Sequence, residues 1–189
     1  MLSAELGALA RAAVDDPAAL ATYHEALRAR VFGGHGHLGE YLGVEVVSVA
    51  ADHVVMRLPW RKELRRQGDI FHGGALMALA DHVAGCLFNT DPRNAAAGNT
   101  GVTTDFTVSF LRAAEPGEAV VATGTMLRRG RNVTFMQIDV AGEASGKTIA
   151  ACRTTYVTVP VARVGVRPPP APSAASPAGP AHDGSREPR

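Results

Sequence analysis

The sequence predicts an α+β domain in which an antiparallel six-stranded sheet wraps around one long central helix. The first observation is a strongly apolar interior run that begins at Gly73 and has helical character to about Asn89. The second is a pair of alternating stretches before this run, and the third is four β-rich segments after it. One helix cannot cover six strands completely, and the sheet has open edges, so we expect a homo-oligomer that pairs at an edge.

The N-terminal segment, residues 1–33, is predicted to be a helical extension with helices near 3–13 and 17–31. Asp16-Pro17 is a favourable helix start, because aspartate caps the first turn and proline fits its first position. A Gly/His break, "FGGHGH", separates these helices from a short helical turn, "HLGEYLG". We therefore expect the main domain to span residues 34–161.

Two strands, "VEVVSVA" and "HVVMRLPW", are predicted to form a hairpin around Ala51-Asp52, followed by a basic loop, "RKELRRQGD". After the central helix we expect a flexible connection, "TDPRNAAAGNT", and then four hairpin-linked strands. Their breaks, "AAEPG", "RGR" and "EASG", have turn chemistry. Residues 162–189 form a Pro/Ala-rich tail without a core-forming pattern, which we expect to be disordered.

The composition of the chain indicates which partners and which location to expect. The chain has 189 residues, 46% hydrophobic and 20% charged, with a net charge of +1. This balance gives no reason to expect nucleic acid or an anionic membrane as partner. No apolar run reaches the roughly 18 residues of a membrane span, and no secretion signal is recognised, so a cytoplasmic location is expected. Cys86 and Cys152 lie in apolar surroundings and are predicted to be small buried hydrophobes.

One carboxylate, Asp81, interrupts the apolar helix "GDIFHGGALMALADHVAGC". Its neighbours three and four positions away are Met77, Ala78, Ala84 and Gly85, of which three are small. Small neighbours allow another backbone to approach closely, so Asp81 is predicted to face a tight interface. The alternative is a structural aspartate that is hydrogen-bonded to a neighbouring strand or exposed on the helix edge.

The same helix opens with His72-Gly73-Gly74. A helix N-terminus offers unpaired N–H groups, and glycine lets a ligand approach them without a Cβ in the way. Such a donor can stabilise the negative charge on an attacked carbonyl, and its loss typically costs about 3–4 kcal/mol. The alternative is an ordinary helix start. His72 either orients the loop or contacts substrate. No metal site is expected, because His35 and His37 lack further ligands at suitable spacing.

Together these residues resemble the hotdog-fold acyl-CoA thioesterases, in particular the phenylacetate-degradation (PaaI-like) group. The matching pattern is "HGGALMALAD", which places an acidic residue eight positions after the first glycine. The resemblance continues into "GVTTDFTVSFLRAAEPGE", "TMLRRGRNVTFMQIDV" and "ASGKTIAACRTTYV", and covers roughly residues 38–160.

The resemblance implies a role for each matching residue. The Gly73 N–H would polarise the thioester carbonyl, with Gly74 beside it in the substrate site. Asp81 from a partner subunit would act as general base or as nucleophile, and Thr103 would help to hold the carboxylate or its water. Basic residues around the turn glycine would meet the phosphates of coenzyme A: Arg128, Arg129 and Arg131. The family often has an Asn or Gln about six residues before the histidine, where it fixes the carbonyl or the water. In this sequence Gln67 would fill that role if the loop bulges.

The implied activity is hydrolysis of aryl- or fatty-acyl-CoA thioesters by a homodimer, or by a homotetramer built from it. No cofactor is expected, since coenzyme A belongs to the substrate, and no "GxSxG" elbow is present. One alternative is a non-catalytic acyl-CoA-binding or scaffolding protein on the same fold. Another, hydration or dehydration of a thioester, needs a positioned Asp/His pair, but Asp81 and His82 point about 100° apart on a helix.

Overall fold

The computed structural model describes residues 4–31 and 37–164. His35 and the tail beyond residue 164 lie outside the described residues. The helices are α1 (Ala4–Ala13), α2 (Pro17–Arg30), α3 (Leu38–Leu42), α4 (Gly73–Phe88) and α5 (Pro92–Ala96). The strands are β1 (Glu45–Ala50), β2 (His53–Leu58), β3 (Asn99–Phe110), β4 (Val120–Arg129), β5 (Val133–Gly142) and β6 (Thr148–Pro160).

The predicted α+β architecture is confirmed. One six-stranded antiparallel sheet has the order β1-β2-β4-β5-β6-β3, and α4 packs across it. The β1–β2 hairpin forms where predicted, and Asp52 adopts a positive φ of 57° in its turn. The N-terminal helices also form as predicted, with the Asp16 carboxylate accepting a hydrogen bond from the Ala18 N–H.

The prediction that all four late strands are hairpin-linked is wrong for β3 and β4. β3 pairs with β6 at one edge of the sheet, whereas β4 lies between β2 and β5. Because both edges of β4 are occupied by β2 and β5, β3 has to pair elsewhere, and the long β6 offers a free edge. The segment after β3 is therefore a crossover connection, and β1 and β3 are the edge strands.

The expected flexible connection after α4 contains a helix, α5. Its start repeats the signal that was recognised earlier in the chain: Asp91 caps the Arg93 N–H, and Pro92 occupies the first helical position. The five helical residues are too few to show an apolar period, which is why the pattern alone indicated a loop.

The core lies between α4 and the inner face of the sheet. Leu79, Val83 and Leu87 of α4 are fully buried against this face. A Cβ at Gly124 on β4 would lie only 2.5 Å from the Val83 side chain, so glycine is needed for this close approach of helix and strand. The tight contact fixes α4, and with it the residues that the helix carries.

The N-terminal helices pack on the domain through α5, β1 and the C-terminal end of α4. The Tyr23 hydroxyl donates to the Asn89 carbonyl oxygen at 2.7 Å, and His24 Nε2 lies 2.9 Å from the Thr90 carbonyl oxygen. Carbonyl groups at a helix end have no partner within the helix. These two side chains of α2 therefore satisfy polar groups of the main domain and hold the extension in place.

Cys86 and Cys152 are buried free thiols, as predicted. Burial raises the pKa of Cys86 to about 12 and that of Cys152 to about 11, so both are protonated at neutral pH. Within residues 4–31 and 37–164, no helix is long and apolar enough to cross a membrane.

Candidate active site along the central helix

The N-terminus of α4 is capped by His72. The His72 Nδ1 accepts a hydrogen bond from the Gly74 N–H at 2.9 Å, and the His72 N–H donates to the Leu64 carbonyl oxygen at 2.8 Å. These contacts fit the loop-orienting alternative for His72, and its contact with substrate stays a prediction. The Gly74 N–H is thus engaged by His72, and the place of Gly74 in the substrate site stays a prediction.

Gly73 is the first residue of α4. Its N–H has no hydrogen-bond partner among the described residues, as is usual for the first position of a helix. A Cβ at this position would lie 3.0 Å from the ring of Phe110, the last residue of β3. Glycine therefore allows the end of the edge strand to lie directly against the helix start, beside a free N–H donor.

Asp81 lies two turns further along α4, at the side of β3. Its Oδ1 accepts hydrogen bonds from the Thr103 hydroxyl at 3.1 Å and from the Tyr156 hydroxyl at 3.0 Å. Within the described part of the chain, no donor reaches Oδ2, and the residue is exposed. One oxygen of the carboxylate is thus held by the protein, while the other is available to water or substrate.

Tyr156 is a site residue that the sequence analysis missed. It pairs directly with Thr103 in the β3–β6 ladder, so both side chains point to the same face of the sheet, towards Asp81. Burial is the largest cause that holds the pKa of Tyr156 above its usual value, and the hydroxyl remains a neutral donor. The β6 alternation places Tyr156 on the inner face, but only the pairing register brings it to Asp81.

Gly73 and Asp81 of one chain cannot act on the same carbonyl. Eight residues at a rise of 1.5 Å separate them by about 12 Å along the helix axis. A carbonyl group that accepts one hydrogen bond while a water attacks its carbon spans roughly half of that distance. Within one chain, the two predicted reactive groups therefore form two separate clusters, which we call half-sites.

Gln67 lies at the exposed tip of the loop before α4. The Arg66 N–H donates to the Ile70 carbonyl oxygen at 2.9 Å, and Gly68 and Asp69 both adopt positive φ. This tight turn leaves Gln67 exposed, and among the described residues no hydrogen bond joins its side chain to Asp81. The role predicted for Gln67 stays a prediction.

The three predicted coenzyme A-binding arginines differ in their surroundings. Arg129 is only 14% exposed, donates to the Phe88 carbonyl oxygen at 3.0 Å, and forms ion pairs with Asp52 and Asp91. A cation at a helix C-terminus is favoured by the helix dipole. Arg129 is thus engaged in holding the end of α4, whereas Arg128 and Arg131 are exposed.

His82 is directed along its own helix. Its Nδ1 lies 2.7 Å from the Ala78 carbonyl oxygen, one turn earlier in α4. Among the described residues, no group of three or more His, Cys, Asp or Glu side chains lies close enough together to hold a metal ion.

Comparison with known proteins finds relatives of this chain. The thioesterase superfamily model matches residues 68–148, which include the start of α4, Asp81 and Thr103. A Deinococcus radiodurans protein named "Putative esterase" is 34% identical over 138 residues, covering 69% of this chain and 82% of that protein. Human acyl-coenzyme A thioesterase 13 is 28% identical over 112 residues, or 59% of this chain and 77% of that enzyme.

The comparison with solved structures finds the same fold. The structure of the E. coli PaaI protein, from the phenylacetic acid degradation operon, has a TM-score of 0.64 at 20% identity, covering 72% of this chain and 94% of that one. The strand order, the central helix and the sequence relatives together identify the family. The chain belongs to the thioesterase superfamily, has its hotdog fold, and is an enzyme of thioester hydrolysis.

Proposed function

We propose that the protein hydrolyses acyl-CoA thioesters as a homodimer, with the Asp81 carboxylate of one copy and the Gly73 N–H of the other acting on the same carbonyl. The observation that carries this proposal is that each of the two groups has an unused hydrogen-bonding position among the described residues. Asp81 has one oxygen held by two hydroxyl groups and the other without a protein partner, and the Gly73 N–H also lacks one. Both groups can therefore form a hydrogen bond with a ligand, but they lie about 12 Å apart in one chain.

A two-fold axis beside α4 would bring the two half-sites together. Gly73, Met77 and Asp81 lie at successive i, i+4 positions and share one face of the helix. If two antiparallel copies of α4 meet at Met77, Gly73 of each copy lies beside Asp81 of the other. Met77 is 40% exposed on a helix that is otherwise largely buried, as expected for a residue that a second copy covers.

The edge strand β3 supports the same assembly. It is twelve residues long, it lies beside Asp81 and Gly73, and its outer residues are mainly exposed. A long, unpaired edge with exposed apolar side chains, such as Val102 and Phe110, is a surface that folded proteins normally cover. Pairing of β3 with its symmetry mate would cover this edge and place the two α4 helices next to each other.

The chemistry follows from these positions. Asp81 Oδ2 accepts a proton from water as the water oxygen attacks the thioester carbonyl carbon. The Gly73 N–H of the second copy donates to the carbonyl oxygen as it becomes negative, and the collapsing intermediate expels the coenzyme A thiolate. Thr103 and Tyr156 keep the carboxylate in place. Direct attack by Asp81 Oδ2 would use the same atoms but would pass through a covalent anhydride.

Coenzyme A would be held by the exposed cations of the β4–β5 turn. Arg128 and Arg131 are free to meet phosphate groups, whereas Arg129 is already engaged at the end of α4. Arg131 also lines a polar cavity of about 350 Å³ with Arg93 and Asn94. We assign Arg128 and Arg131 to substrate affinity and Arg129 to the stability of the fold.

The experiment is hydrolysis of a panel of aryl- and fatty-acyl-CoA thioesters by the wild type and by Asp81→Asn, with the released thiol as readout. Asparagine keeps the shape but cannot act as a base, so we expect kcat to fall by about 10²-fold or more. Light scattering of the same samples gives the mass in solution. Wild-type binding of the esters without hydrolysis would replace this proposal with the non-catalytic acyl-CoA-binding alternative.

A further inference from the structure

A cavity of about 640 Å³ lies beside Asp81, between α4 and the N-terminal helices. At one end it is lined by Asp81, Thr103 and Tyr156, the groups of the half-site. At the other end it is lined by Leu6 of α1, by Leu27 of α2 and by Val31, which directly follows α2. The N-terminal extension, which lies outside the region matched by the thioesterase superfamily model, therefore forms part of the space that adjoins the carboxylate.

The floor of this cavity is a groove along α4. Asp81, Gly85 and Asn89 follow one another at i, i+4 spacing and all line it. Gly85 has no side chain, and a Cβ built there meets nothing closer than the Tyr156 hydroxyl at 3.8 Å. The groove thus runs for two helical turns, about 12 Å, from the carboxylate towards α2.

Among the described residues that line the cavity, the three side chains that can carry a positive charge already have partners: Arg30, His37 and His82. Arg30 is ion-paired with Glu5, and the Asn89 amide nitrogen donates to the Gly85 carbonyl oxygen at 2.8 Å. The Asn89 Oδ1 is buried without a hydrogen-bond partner among the described residues and is itself an acceptor. Leu6 and Leu27 are buried and Val31 is half-buried, so the end wall is mainly aliphatic. An uncharged, apolar group fits these surroundings, whereas a carboxylate would lose its hydration without compensation.

The wall is held in place by specific contacts. Tyr23 and His24 of α2 bond to the carbonyl groups that follow α4, and Leu6 of α1 is buried against the domain. A pocket that ends on a fixed wall discriminates by length, since a longer chain has no further room.

We infer that the N-terminal helices close the acyl pocket, and that they select thioesters of uncharged, apolar acyl groups that extend about two helical turns beyond the scissile carbonyl. This inference rests on the proposed function, because it takes Asp81 as the position of the reacting carbonyl.

The test is a series of straight-chain esters, from butanoyl-CoA to dodecanoyl-CoA, with the full-length chain. The variant Val31→Trp places a large side chain at the end wall, and Val14→Trp is its matched control. Val14 is an exposed residue between α1 and α2 and does not line the cavity. We expect Val31→Trp to lower kcat/KM for the longest accepted ester relative to butanoyl-CoA by about 10-fold or more, and Val14→Trp to retain the wild-type length profile.

A second arm measures affinity by calorimetry with the Asp81→Asn variant, so that its readout does not require hydrolysis. The length dependence of Kd should move to shorter esters when Val31→Trp is added, and octanoyl-CoA should bind about 10-fold more tightly than suberoyl-CoA, its acid-ended counterpart. An unchanged length profile in both arms, or a preference for suberoyl-CoA, would overturn the inference. If wild-type hydrolysis is absent while the shift in Kd persists, the proposed function fails and the pocket assignment stands.

Discussion

The hydroxyl group of Tyr156 provides the most direct test of how the protein holds its carboxylate. The change Tyr156→Phe removes the 3.0 Å hydrogen bond to Asp81 Oδ1 and leaves the ring in place against Phe88, whose centroid lies 6.0 Å away. Thr103 still donates to the same oxygen, so the carboxylate is retained but less strictly oriented. We therefore expect reduced turnover rather than complete loss.

The size of the effect can be worked out from this geometry. A hydrogen bond to a charged group contributes about 1.5–3 kcal/mol when buried, and Asp81 is exposed in the single chain, so about 1–1.5 kcal/mol is the appropriate range. Each 1.36 kcal/mol corresponds to about a tenfold change in rate. Tyr156→Phe should therefore lower kcat by about 5–13-fold, and KM should change little because the hydroxyl acts on Asp81 and is not among the groups proposed to bind coenzyme A.

Tyr23→Phe is the matched control for this experiment. Tyr23 is also a buried tyrosine whose hydroxyl donates to a backbone carbonyl, but it lies at the opposite end of α4 from Gly73 and does not contact Asp81. Both variants should lose about 1 kcal/mol of stability in urea unfolding. The assay uses butanoyl-CoA, which is too short to reach the wall that Tyr23 helps to hold. If steady-state kinetics then give the same kcat for Tyr156→Phe as for Tyr23→Phe, the hydroxyl does not position the carboxylate and the reasoning is refuted.

Further predictions concern the dimer and the arginines. Met77→Glu places two like charges at the proposed two-fold axis, so we expect light scattering to give the mass of a monomer and the thiol-release assay to give little activity. An active dimer would contradict the proposed position of the axis. Arg131→Ala should raise KM for acyl-CoA with kcat nearly unchanged, whereas an unchanged KM would remove Arg131 from the coenzyme A site. Arg129→Gln should cost about 1.5–3 kcal/mol in urea unfolding, because it leaves the α4 carbonyl groups without their partner and Asp91 with Arg93 alone. Arg128→Gln, at an exposed position, should cost no more than about 0.5 kcal/mol. Burial pushes the pKa of the Asp91 carboxyl up, but hydrogen bonds from Arg93 and the charge of Arg129 outweigh it and hold the pKa below its usual value. A lowered folded-state pKa means that the carboxylate stabilises the fold above its unfolded pKa of about 4, and that this contribution is lost as the pH falls through the folded value. Asp91→Asn, which can still cap α5, should therefore lower Tm at pH 7, and the difference from wild type should narrow below about pH 4; a constant difference would show that the charge is unimportant.

Local patterns were sufficient for most elements of this fold. The apolar run after His72, the alternation of the strands and the Asp16-Pro17 cap each depend on neighbouring residues, and each is present in the structure. Asp91-Pro92 carried the same cap signal, but α5 is so short that the signal had no apolar period to support it. The partner of β3 was not accessible from local patterns, because strand pairing depends on which edges the other strands leave free.

The candidate site, like the fold, could be predicted from the sequence only in part. The sequence by itself determined the positions of the two groups on which the proposed mechanism depends: a glycine N–H at a helix start and a carboxylate eight residues later. Only the tertiary structure decided which side chains serve those groups. His72 takes the Gly74 N–H, Tyr156 joins Thr103 at Asp81, and Arg129 is drawn to the end of α4. The physical reason is that the spacing of residues along a helix follows from its rise per residue, which the sequence already fixes. Contacts between distant segments depend on strand register and on competition for unpaired polar groups, and both are set only when the chain has folded.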